Sequence, residues 1–172
     1  MNHTKMYARS FAIIKHKDQM YGNFPYIIHL QDVYLKSKKY DLSIEEQHAA
    51  YLHDTLEDTT TTIEELISYF GHDVATLVYC VTAVGKNRKE KTLSVIEKLK
   101  NNNKAVNLKL IDRISNIETS IQFKNINKLN MYLKENELYL EIFQKAKLQI
   151  FQDYLLVLER AKKIVNAKKL TS

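Results

Sequence analysis

Turn-forming residues and sulfur are scarce in this 172-residue chain: three glycines, one proline, one cysteine and no tryptophan. Strand-rich folds consume many turn residues, so the shortage points to a mostly helical protein. A single cysteine excludes an internal disulfide and is consistent with a reducing compartment. Cys80 lies in the apolar run Leu77-Val78-Tyr79-Cys80-Val81, where a buried thiol is expected. No apolar stretch reaches the about 18 residues that a membrane-spanning helix needs, and no signal-peptide core is visible. The sequence therefore reads as a soluble, cytoplasmic protein with no membrane partner. It also lacks blocks of like charge, internal repeats and low-complexity segments, so a dedicated nucleic-acid arm is not expected. No composition shift suggests a second domain. Residues 1–172 read as one unit, with a motif-bearing core over about 11–120 and C-terminal helices over 125–167.

What the chain does have is an excess of positive charge. Lys and Arg number 26 against 20 Asp and Glu, a net charge of +6, and the pI is near 9.2. That balance favours anionic partners such as nucleotides.

Periodicity and caps divide the chain into helices. A first is expected over Thr4 to Lys17, with Met6, Phe11, Ile13 and Ile14 among its apolar positions. After Gly22-Asn23, Pro25 opens a second that carries Tyr26, Ile28, His29, Leu30, Val33 and Leu35. Ser43-Ile44-Glu45-Glu46 is a capping box for a third helix, expected to end at Glu57-Asp58. Thr62-Ile63-Glu64-Glu65 repeats the device for a short fourth, stopped by Gly71, and a fifth spans His72 to Ala83. Residues Gly85 to Lys91 read as a basic loop containing Arg88 and Lys89. A sixth helix follows to Lys100, a seventh from about Lys104, a shorter one over Ile126 to Lys134, and a last one over Asn136 to Asn166 with fraying after Ala167. The apolar stripe Leu138, Phe143, Ile150, Leu155 and Leu156 packs inward or serves a homodimer.

The chemistry concentrates in Ala49-Ala50-Tyr51-Leu52-His53-Asp54-Thr55-Leu56-Glu57-Asp58-Thr59. On a continuous helix His53, Glu57, Asp54 and Asp58 fall at roughly 0°, 40°, 100° and 140°, so four titratable groups share a sector. His53 and Asp54 can give a nitrogen and an oxygen ligand to one divalent cation, and the carboxylates a turn later can hold and deprotonate a water. A solvated polar face is the competing reading of this stretch. A metal site needs further ligands, and His29 and Asp112 are the candidates. Asp112 interrupts the apolar run Leu108, Leu110, Ile111 and Ile114, where an unpartnered carboxylate is costly. Asn116 shares its face, and Arg113 could reach a phosphate or pair with a neighbour. His72-Asp73 reads as structural, its aspartate favoured near a helix start. His48 reads as surface, and His3 and His16 have no obvious partner.

Four motifs occur in order: Pro25-Tyr26-Ile27-Ile28-His29; Ala49 through Thr59; Phe70-Gly71-His72-Asp73-Val74-Ala75 with Val81-Thr82; and Leu108-Lys109-Leu110-Ile111-Asp112-Arg113-Ile114-Ser115-Asn116. Together they resemble the HD-superfamily hydrolase domain of alarmone synthetase/hydrolases and of small stand-alone alarmone hydrolases. The resemblance implies an all-α, single-domain HD bundle with its site between the second, third and seventh helices. It implies that His29, His53, Asp54 and Asp112 bind one metal ion, usually manganese, and that Glu57 and Asp58 orient and activate water. Asn116 would contact a small-molecule nucleotide, and Arg88, Lys89 and Arg113 would balance its phosphates. The implied reaction removes a 3′-pyrophosphate. One departure stands out: the family's Arg-Lys pair before the first motif is replaced by Gln19-Met20-Tyr21-Gly22-Asn23-Phe24, where Tyr21 could stack on a base. Another nucleoside phosphate as substrate, or a non-catalytic nucleotide-binding helical module, are the alternatives.

Overall fold

The computed structural model describes residues 7–170, with side chains to 168. Among these residues nine helices surround one apolar core, and the two strands form a minimal hairpin. Helix α1 (Ala8–Lys15) is shorter than expected, and Thr4 to Met6, like His3, lie outside the described residues. Strands β1 (Met20–Tyr21) and β2 (Phe24–Pro25) pair antiparallel across Gly22-Asn23. Gly22 takes a positive φ of 62°, the conformation a two-residue turn requires. Pro25 thus ends a strand, and helix α2 (Ile27–Lys39) begins two residues later.

Helix α3 (Ile44–Leu52) opens on the expected capping box, in which Ser43 and Glu46 satisfy each other's backbone N–H. It does not run on to Asp58. His53 and Asp54 form a corner, and a separate four-residue helix, α4 (Thr55–Asp58), follows. The corner is held by side chains that bond backward: the Thr55 hydroxyl donates to the Leu52 carbonyl and His53 Nδ1 to the Ala50 carbonyl. The single helical wheel expected for His53, Asp54, Glu57 and Asp58 therefore does not apply.

Helix α5 (Ile63–Val81) is interrupted at Gly71, whose φ of 84° and ψ of 169° suit only glycine, so it consists of two helical segments that meet there, as the sequence suggests. Arg88 and Lys89 lie in the first turn of α6 (Arg88–Leu99), not in a loop, because Asn87 caps it by accepting from the Glu90 N–H. Asn102 caps α7 (Asn103–Gln122) in the same way. Helix α8 (Ile126–Phe143) passes straight through the expected break at Lys134–Asn136, since the polar Glu135 there is a buried ion-pair partner. The chain breaks instead near Lys147, which reaches the Tyr40 and Asp41 carbonyls with its ammonium and Asn107 Oδ1 with its N–H. Helix α9 (Leu148–Leu170) continues beyond Ala167. The expected apolar stripe splits between two helices: Phe143 and Ile150 are buried, while Leu138, Leu155 and Leu156 are exposed.

Helix α7 is the central element. Leu108, Leu110, Ile111 and Ile117 are fully buried where it packs on α2, α3, α5, α8 and α9. Full burial of each such side chain stabilises by roughly 1.5–3 kcal/mol. The rigid seating of α7 against α2 and the α3–α4 corner brings three distant sequence motifs to one place. Cys80 is buried, as expected.

Candidate metal centre

Four side chains from three elements meet inside the bundle. His29 Nε2 comes from α2, His53 Nε2 and Asp54 Oδ2 from the α3–α4 corner, and Asp112 Oδ1 from α7. The two imidazole nitrogens are 3.3 Å apart. Asp112 Oδ1 lies 3.3 Å from His29 and 3.5 Å from His53, and Asp54 Oδ2 lies 3.0 Å from His53 and 3.7 Å from His29. Donors bound to one ion at about 2.0–2.2 Å stand roughly 3–3.6 Å from one another, so the spacing fits a single cation. Among the described residues the ligand atoms of His29, His53 and Asp54 all lie within 4.8 Å of one another; Asp112 is outside that group and approaches through the two histidines.

Each donor is held by a further group; on the histidines this leaves the cluster-facing nitrogen free, whereas Asp54 Oδ2 and Asp112 Oδ1 also accept from Tyr26 and Asn116. His53 Nδ1–H donates to the Ala50 carbonyl at 2.9 Å, which turns its Nε2 lone pair toward the cluster. Ser115 donates its hydroxyl to Asp32 and can accept from His29 Nδ1 at 3.4 Å. The Tyr26 hydroxyl donates to Asp54 at 2.6 Å. Lys109 donates to Asp112 Oδ2 at 3.1 Å, so Oδ1 is the oxygen that faces the histidines.

The electrostatics carry an excess of negative charge. Burial disfavours a charged His53, yet Asp54 and Asp112 outweigh it and push the imidazole up to about 10. Asp54 and Asp112 are held below the usual carboxylate range: burial opposes this, but the His53 and Lys109 charges respectively prevail. The same carboxylate charge that favours a proton on His53 attracts a divalent cation, which must displace that proton to bind. The donor set therefore fits one.

Glu57 and Asp58 diverge. Glu57 accepts from the Ala83 N–H at 2.9 Å and from Lys91 at 3.0 Å, whereas Asp58 accepts from Gln19 at 2.9 Å. Gln19 is in turn held by His16, whose Nδ1–H donates to it at 2.6 Å and whose ring stacks on Tyr26. Tyr21 already stacks on His29 at 4.8 Å and donates its hydroxyl to Asn116 at 2.9 Å. Asn116 also donates to Asp112 Oδ1, which ties this α7 carboxylate to the hairpin. Arg113 is buried: it donates to Glu135 at 2.6 Å and to the Tyr132 carbonyl, between the rings of Tyr132 and Tyr139. Arg88 pairs with the same Glu135. Lys89 is exposed beside a groove of about 510 Å³ between α6 and α8, apart from the cluster.

Sequence reasoning missed the supporting groups Tyr26, Lys109, Ser115, Gln19, Lys91 and Glu135. Tyr26, Lys109 and Ser115 sit inside the motifs, and Lys109 stands out as a charge in an apolar run. Gln19, Lys91 and Glu135 carry no local signal.

The HD domain family model matches residues 8–129, more than half of the chain, and the chain belongs to that family. It is 49% identical over 80 residues to the guanosine-3′,5′-bis(diphosphate) 3′-pyrophosphohydrolase of Aquifex aeolicus, covering 46% of this chain and 12% of that protein. It is 44% identical over 78 residues to the Danio rerio protein of the same name, MESH1, covering 42% of this chain and 43% of that protein. These alignments thus span less than half of either relative. The solved structure of a metazoan ortholog of SpoT that hydrolyzes ppGpp superposes with a TM-score of 0.65 at 22% identity, over 91% of this chain and 92% of that one, and shares its fold. No described helix is long and apolar enough to cross a membrane.

Proposed function

We propose that the protein is a metal-dependent phosphohydrolase that removes the 3′-diphosphate of an alarmone-like guanine nucleotide. The observation that carries this is the convergence of His29, His53, Asp54 and Asp112 with donor spacings suited to one cation. The names of the relatives supply the substrate class, and the family resemblance supplies manganese as the expected ion. A divalent cation bound there polarises a phosphoryl oxygen and acidifies a nearby water.

The chain's own groups do the rest. Glu57, steadied by the Ala83 N–H and Lys91, takes a proton from the attacking water. Asp58, steadied by Gln19, orients that water from the other side. The water oxygen bonds to the phosphorus next to the ribose, the bond from that phosphorus to the 3′-oxygen breaks, and the 3′-oxygen regains a proton. Inorganic diphosphate and a nucleotide with a free 3′-hydroxyl, its 5′-phosphates intact, result. On the other flank a cavity of about 430 Å³ lined by Tyr21, Phe24, Ile28 and Phe123 offers apolar surface to a nucleoside.

A different nucleoside phosphate is the second reading. It is favoured by Tyr21, which stands in place of a cationic pair and is committed to His29 and Asn116. The deciding experiment incubates the manganese-loaded protein with guanine and adenine nucleotides carrying 3′- or 5′-phosphates and identifies the products. Release of diphosphate from guanosine 3′,5′-bis(diphosphate) is expected. Absence of release from any 3′-diphosphate would contradict the assignment.

A further inference from the structure

His16, which has no obvious partner in the sequence, is buried at the end of α1. Its ring lies on Tyr26 with 4.8 Å between centroids. Its Nδ1 is 2.6 Å from Gln19 Oε1, and its Nε2 is buried with no hydrogen-bond partner among the described residues. Gln19 Nε2 in turn donates to Asp58 Oδ2 at 2.9 Å, and among the described residues no other donor reaches that carboxylate. The Gln19 backbone is pinned on both sides. Its N–H donates to the His16 carbonyl and its carbonyl accepts from the Tyr26 N–H, each at 3.0 Å. What the backbone leaves open is which end of the amide faces Asp58.

Donor and acceptor chemistry fixes that choice. An ionised carboxylate only accepts, so the Gln19 NH2 faces Asp58 and Oε1 faces His16. Nδ1 therefore carries the imidazole proton, and the buried nitrogen without a partner is a bare lone pair, not a stranded N–H. With the proton on Nε2 instead, Nδ1 would accept from the amide NH2, and Oε1 would turn toward Asp58 and repel it. Asp58 is exposed, and an exposed carboxylate without a fixed donor samples several rotamers. We propose that His16 is a positioning residue for the water-orienting Asp58, acting in series through the Gln19 amide. His16 sets the polarity of the amide, and the amide sets the direction of the carboxylate. Stacking on Tyr26, itself tied to Asp54 at 2.6 Å, keeps the imidazole in one plane. The assignment rests on the phosphohydrolase reading and deepens it.

Two measurements test it. Long-range nitrogen–proton NMR correlation on the full chain without paramagnetic metal, with His16 assigned by its loss in His16→Phe, is expected to show the proton on Nδ1. Kinetics on the manganese-loaded protein with guanosine 3′,5′-bis(diphosphate) test the series. His16→Phe keeps the stack on Tyr26 and removes the donor, so kcat should fall about tenfold while KM and bound manganese hold. His16→Asn, whose Nδ2 stands where Nδ1 stands, should recover most of that loss. Gln19→Met should match His16→Phe, and the double variant should be no worse than either single, because groups acting in series do not add. Should His16→Phe fold poorly, the half-buried Gln19→Met and the NMR decide. A proton on Nε2, an unchanged kcat in His16→Phe, or additive losses in the double variant would overturn the proposal. A proton on Nδ1 with no turnover of any nucleotide by the wild type would fail the phosphohydrolase reading and leave the His16–Gln19–Asp58 chain standing.

Discussion

Two polar clusters sit side by side against α7, one buried and one partly open to solvent at Arg88 and Lys91, and their formal charges differ in sign. The His29–His53–Asp54–Asp112 cluster has two carboxylates and two histidines that are neutral when they ligate, a formal deficit of two positive charges. The neighbouring cavity has Arg88, Lys91, Lys109 and Arg113 against Glu57 and Glu135, an excess of two. Lys109 and Asp112 are the link between them. The imbalance of the first has the sign of a divalent cation; in the second every cation has a carboxylate partner once Asp112 is counted with Lys109. Within the second region the Arg88–Glu135–Arg113 triad is the more self-contained part, and it reads as scaffold.

The comparison is sharpest at Glu57, which borders the cationic cavity. Glu57→Gln keeps the shape and removes the base, so turnover should fall about 10²–10⁴-fold while bound metal is retained. Near-normal turnover in single-turnover assays would move the base elsewhere.

Glu135 tests the scaffold half. Burial raises its carboxyl, but the Arg88 hydrogen bond and the Arg113 charge outweigh that and hold it below the usual glutamate range. A lowered folded value means stabilisation that is complete above the ordinary glutamate range and lost as pH falls through the lowered value. Glu135→Gln should therefore cost about 3 kcal/mol near neutral pH, the loss expected when a buried pair is broken. The gap to wild type should narrow in acid. Urea unfolding at several pH values measures both, and a gap that is constant with pH would contradict the pairing.

A smaller effect is expected at Tyr26, whose hydroxyl steadies Asp54. Tyr26→Phe should weaken manganese binding roughly tenfold, at the lower end for a group that orients a ligand. The smallest belongs to Tyr21→Phe, which removes one hydrogen bond to Asn116. A shift in KM of a few-fold, from about 0.5–1.5 kcal/mol, is expected with little change in kcat.

The sequence made the two halves of this comparison unequally legible. Ligand candidates were visible because histidine and aspartate in apolar runs are anomalous, and Ser43-Ile44-Glu45-Glu46 and Gly71 punctuate helices through local chemistry. The α3–α4 corner was not visible, because no glycine or proline marks it and Thr55 and His53 hold it by bonds back to the α3 backbone. Arg88 and Arg113 were open to a phosphate role, and Arg113 also to a pair with a neighbour, because Glu135, which holds both, is far away in sequence. Glu135 itself looked like a helix break, and the real break near Lys147 depends on distant acceptors at Tyr40, Asp41 and Asn107.

The central claim is that one cation completes the cluster of His29, His53, Asp54 and Asp112. Calorimetric titration of manganese into metal-stripped protein tests it most directly, with His53→Ala and Asp112→Ala beside the wild type. One equivalent per chain is predicted for the wild type, with stoichiometric binding lost in both variants while their helical circular dichroism is kept. Undiminished binding in both variants would contradict the account.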